Sequence, residues 1–134
     1  MSEVPPNYKN AGIVMLVAGI MHMMHAIILG VIIFLYASVF AISTFGIGCV
    51  CYGCLLWPVL PAVVGVGEAW TGYRVMSGER VPFARTMSII GLVNAAVNMN
   101  VVTVVLEILA LMWLGEPASA AYANDESDNV IDAA

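Results

Sequence analysis

A chain of 134 residues, 62% hydrophobic and 10% charged, has the size of one small domain but falls well short of the roughly 25% charge of a water-soluble one. Its four Lys and Arg (Lys9, Arg74, Arg80, Arg85) exclude a basic surface for nucleic acid. The net charge of −5 comes mainly from the C-terminal end, where Glu116, Asp125, Glu126, Asp128 and Asp132 follow the last apolar run.

In chain order, residues 1–10 are a polar lead-in that Pro5 and Pro6 hold extended. The apolar run behind them is longer than a signal-peptide core, so the first helix is expected to stay as an uncleaved anchor. From Ala11 to Val66 there is no Asp, Glu, Lys or Arg. One crossing takes about 20 apolar residues, so this stretch predicts two helices, over 11–36 and 49–73, with a turn between them. Residues 74–85 form a polar loop carrying three of the four cations. A third helix is predicted over 84–114, ended by Gly115-Glu116-Pro117. Residues 115–134 are an acidic tail, expected to be mobile unless a partner holds it. The predicted fold is therefore all-α, an integral membrane bundle of three transmembrane helices with a lipid-facing surface.

The positive-inside rule predicts that the N-terminus and the 74–85 loop face the cytoplasm. With three spans, the acidic tail would then lie on the opposite side.

Polar residues inside apolar helices are the candidates for function. His22 and His25 lie three apart on the first helix and share a face. With the surrounding methionines they form a soft donor set suited to copper(I), and they are the low-ranking candidates for a metal. Haem is a further reading, but two histidines on one face cannot supply both axial ligands, so a second chain would be needed. Cys49, Cys51 and Cys54 are odd in number and too close together for a disulfide framework. They also lie about half a membrane away from the histidines, which argues against a shared site. On the third helix, Asn98 and Asn100 fall near the middle with Asn94, and Glu107 lies seven residues from Leu114, about 10 Å in from that end. Together with a proline break at Pro58 and Pro61, His22, His25, Asn98, Asn100 and Glu107 resemble the polar layer of a transport site. The competing reading is hydrogen-bonded glue between helices. Glu68 reads as a lesser residue, close to Arg74 and the surface.

Small residues form stripes: Gly19, Ala26 and Gly30 on the first helix, Gly65 and Ala69 on the second, Gly91 and Ala95 on the third. Such stripes let helix backbones approach, and a bundle this thin leaves apolar surface for lipid, for further copies or for other membrane subunits. No phosphate loop, metalloprotease helix or Ser/His/Asp set is present, since the GVGEAWTG segment lacks a preceding strand. No enzymatic activity is expected.

The stretch AGIVMLVAGIMHMMHAIILG (11–30), with its glycines and Met-His pairs, resembles the first span of the membrane-spanning four-domain family, the tetraspans typified by the B-lymphocyte surface antigen. SIIGLVNAAVNMN (88–100) is similar to that family's third span, and the short basic loop also fits. The pattern departs after Leu114, where no fourth span follows. The resemblance implies a non-enzymatic oligomer that scaffolds or modulates other membrane proteins, with channel-like behaviour. The leading expectation is thus a self-associating or accessory membrane subunit. An ion or solute transport element and a haem or copper carrier are the alternatives.

Overall fold

The structure, a computed structural model, describes residues 3–44 and 47–125, with the side chains of 47–51 outside that set. Within it the chain is all-helical. Helix α1 spans Pro6–Ser43, α2 Val59–Met76, α3 Ala84–Val97, α4 Val101–Leu114 and α5 Pro117–Asn124, and a 3₁₀ segment, Ile47–Leu56, precedes α2.

Helix α1 is longer than predicted at both ends. Pro6 takes the first helical position, where its missing N–H has no intrahelical partner to lose. Past Tyr36 nothing breaks the helix, because the Ser38, Ser43 and Thr44 hydroxyls bond back to Phe34 and Phe40 carbonyls. Thirty-eight residues make a rod of about 57 Å, well beyond the roughly 30 Å of a bilayer's hydrocarbon layer. The helix predicted from 49 starts at Val59, with Pro58 as its N-cap and Pro61 in its first turn. These prolines begin the helix where a donor is not needed; they do not interrupt its middle.

The larger correction concerns the helix predicted over 84–114. It is interrupted at Asn98-Met99-Asn100 and folds back on itself. Ser88 Oγ donates to Glu107 Oε2 at 2.6 Å; in a continuous helix those residues would stand about 28 Å apart. The asparagines cause the break. Asn98 Nδ2 donates to Asn94 O (2.8 Å) and Asn94 Oδ1 (3.1 Å), closing α3. Asn100 Oδ1 accepts from Thr103 N at 3.2 Å, capping α4. Between them Met99 takes a left-handed φ of 53°. Each arm has 14 residues, about 21 Å. Two stretches, α1 and Tyr52–Met76, are long and apolar enough to cross a membrane; a third exists only if α4 and α5 count as one despite a 77° bend.

The helices close a ring: α1 packs against α2 and α4, and α3 against the same two. Gly12 faces Gly72 and Met76, and Gly19 faces Gly65 and Ala69, so α1 and α2 are antiparallel with backbones in contact. The result is an up-down-up-down four-helix bundle, with four core helices where three were predicted and two or three stretches long and apolar enough to cross a membrane.

One end of the bundle gathers the polar loops. The buried Tyr8 donates from its hydroxyl to Glu79 O (2.8 Å) and accepts from Val81 N (2.9 Å). Gly78, at φ 83°, takes a turn conformation that side chains disfavour, and its carbonyl accepts from Tyr122 of α5 at 2.7 Å. Arg80 pairs with Asp125 at 3.3 Å, and Asn7 donates to Glu116 at 2.6 Å. The expected placement of residues from 115 opposite the N-terminus is thereby corrected for 115–125. The fold-back returns them to the end that holds Tyr8 and the 77–83 loop. The rest of the acidic tail, from Glu126, lies outside the described residues.

Candidate functional site: a buried histidine and two glutamates

Four helices meet around three ionisable side chains. His22 comes from α1, Glu68 from α2 and Glu107 from α4, and their exposures are 1%, 0% and 0%. Each offers a ligand atom within 4.8 Å of the others. His22 Nδ1 lies 3.1 Å from Glu68 Oε2, and Ser88 of α3, also fully buried, donates to Glu107 Oε2.

Small residues make the room. Gly65 sits beside His22, where a Cβ would come within 2.9 Å of His22 Cβ. At Gly91 a Cβ would lie 2.8 Å from Glu68 Oε1 and would also collide with Glu107 Oε1. The two carboxylates therefore converge on the bare backbone of α3. No ordinary donor among the described residues reaches either Oε1 or His22 Nε2, and the two carboxyls are close enough to hydrogen-bond each other once one is protonated.

A chemical tension follows. Two ionised carboxylates with a neutral imidazole would place a charge of −2 among apolar helices, and desolvation makes that costly. Positive charge must join them, either as protons or as a cation. The arrangement is suited to holding such an ion.

A polar trail leads from this point to the hairpin tip. Asn94 Nδ2 on α3 and Thr103 Oγ1 on α4 are buried without partners, about one turn nearer the tip, and Asn98 and Asn100 cap the tip itself.

Of the residues singled out from the sequence, His22 and Glu107 are brought together. His25 is half-buried and outside the cluster. Asn98 and Asn100 serve the helix ends rather than the cluster. Gly19, Gly65 and Ala69 lie in the α1–α2 contact, and Gly91 lies under the carboxylates. Ala26 and Ala95 are buried, while Gly30 meets Pro58 only loosely, at 3.9 Å. Cys54 is exposed, and the side chains of Cys49 and Cys51 lie outside the described residues. Glu68 and Ser88 are the members sequence reasoning undervalued. The signal for Glu68 was its position on the small-residue face, three residues after Gly65 and four before Gly72.

No protein-family model, curated protein or solved structure matches the chain.

Proposed function

We propose that the chain is an integral membrane protein that binds a small cation, the proton included, at His22, Glu68 and Glu107 and passes it through the bilayer. The role is non-enzymatic. The observation that carries it is the set of three buried ionisable groups from three helices, converging on one point. Intramembrane ionisable groups are costly and mark ion paths. The trail through Asn94 and Thr103 gives such a path a direction.

The placement in lipid is supported by the length of α1 and by the outward apolar side chains of α1 to α4, among them Ile28, Val63, Val93 and Ile108. All four cations lie in the N-terminal segment or within 74–85, so by the positive-inside rule that end faces the cytoplasm. The described part of the acidic tail accompanies it. The hairpin arms, at about 21 Å, stop short of the far surface, so the tip lies within the apolar layer.

The test is flux in liposomes loaded with a proton- or cation-sensitive dye. Wild type should conduct, and Glu68→Gln and Glu107→Gln should each lower the rate by at least about tenfold, the scale of lost tuning at ion sites. Equal flux in all three proteins would remove the cluster from the path. A wild type that passes neither protons nor metal ions would refute the reading.

A second reading, a self-associating or accessory subunit, is favoured by the upper part of α1. There Val31, Leu35, Val39 and Ile42 are all exposed, past the level of the hairpin tip. Native mass spectra from mild detergent test it: a single chain would exclude self-association, and unrelated subunits would identify a host complex.

A further inference from the structure

We infer that the ion held by His22, Glu68 and Glu107 is a divalent first-row transition metal with a preference for mixed nitrogen and oxygen donors, such as zinc or manganese. This rests on the reading that the cluster takes a cation, and it names which one.

Geometry comes first. Zinc bonds to imidazole nitrogen and carboxylate oxygen are about 2.0–2.2 Å, so ligands around one ion stand about 3–4.4 Å apart. Donor atoms that all lie within 4.8 Å of one another need only a small contraction to share it. Charge comes second. Two carboxylates and a neutral imidazole are balanced by one divalent ion, whereas an alkali ion leaves a buried negative charge.

Donor type narrows the choice. One nitrogen and two carboxylates are too hard for copper(I), which favours thiolate and thioether, and the imidazole disfavours magnesium and calcium. This differs from the low-ranking copper(I) reading of the Met-His pattern, because the structure brings two glutamates to His22.

The surroundings orient the donors as metal sites do. His22 Nδ1 stands 3.1 Å from Glu68 Oε2, the separation of two donors on one ion, so with the ring proton on Nε2 the Nδ1 lone pair is the one that would face it. Ser88 holds Glu107 Oε2 and leaves Oε1 free. Gly91 keeps the space beside both Oε1 atoms clear of a side chain.

The experiment uses the full chain in detergent, stripped with a chelator and titrated separately with zinc and manganese. X-ray absorption is then recorded on the zinc-loaded protein. The expected result is one ion per chain in a nitrogen–oxygen shell with one imidazole. Affinity should be lost in Glu68→Gln and Glu107→Gln. It should be weakened about 10–100-fold in Ser88→Ala, which removes an orienting partner and no ligand. Circular dichroism on each variant checks that the helices persist, and Ser88→Ala keeps the test decisive if a glutamate variant does not fold.

Absence of stoichiometric binding by wild type overturns the metal, as does a sulfur shell, which would move the ion to the cysteines. If no metal binds but proton flux still depends on Glu107, the two carboxylates share a proton instead. The inference then fails while the transport reading stands. If metal binds at the cluster but no ion crosses the membrane, the inference stands and transport fails.

Discussion

Tyr8 ties the first turn of α1 to the 77–83 loop through both functions of one hydroxyl, as donor to Glu79 O and acceptor from Val81 N. Its ring stands edge-on to Tyr122 at 5.1 Å. Tyr8→Phe would keep the ring and leave a buried N–H unsatisfied. Such a loss costs about 1–3 kcal/mol, and a lower unfolding midpoint in detergent should report it. Tyr122→Phe, which frees only a carbonyl on an outer turn, should cost less. At this scale the sequence was partly legible. His22 and Glu107 stood out because a polar group in an apolar run is conspicuous. Glu68 was assigned to the surface through its nearness to Arg74, yet residues six apart on a helix do not share a face. Arg74 instead pairs with Glu79 at 2.6 Å, and Glu68 turns inward.

At the scale of elements, close packing of α1 on α2 rests on glycines that a Cβ would force apart. A Cβ at Gly19 would come within 2.6 Å of Gly65 O and 2.5 Å of Ala69 N, both rigid backbone atoms. Gly19→Ala should therefore destabilise the bundle by about 1–3 kcal/mol, the usual cost of overpacking. Gly53 has nothing within 4 Å of its added Cβ, so Gly53→Ala should stay within about 0.5 kcal/mol of wild type. Chemical denaturation followed by circular dichroism compares the two, and equal stability would contradict the contact. The small-residue stripes were readable because their spacing follows the helical period. The break after α3 was not, although its residues were in view. Asn98 and Asn100 were counted as polar groups in the middle of a continuous helix, whereas asparagine also competes for backbone hydrogen bonds and ends helices. Hydropathy alone does not separate one 31-residue span from two arms of 14.

For the whole molecule, that one turn changes everything downstream. It makes four core helices from the predicted three, returns Glu116 and Asp125 to the N-terminal end, and carries Glu107 to the level of His22 and Glu68. The ion site thus depends on the fold-back more than on any single side chain. The direct measurement is the distance between spin labels at Phe83 and Gly115, flanking α3 and α4 in the full chain in liposomes. Both positions are exposed. The fold-back predicts backbones about one helix spacing apart, on the order of 10 Å, plus the label arms. A distance near the 48 Å of an unbroken helix over the same 32 residues would contradict the hairpin, and with it the site.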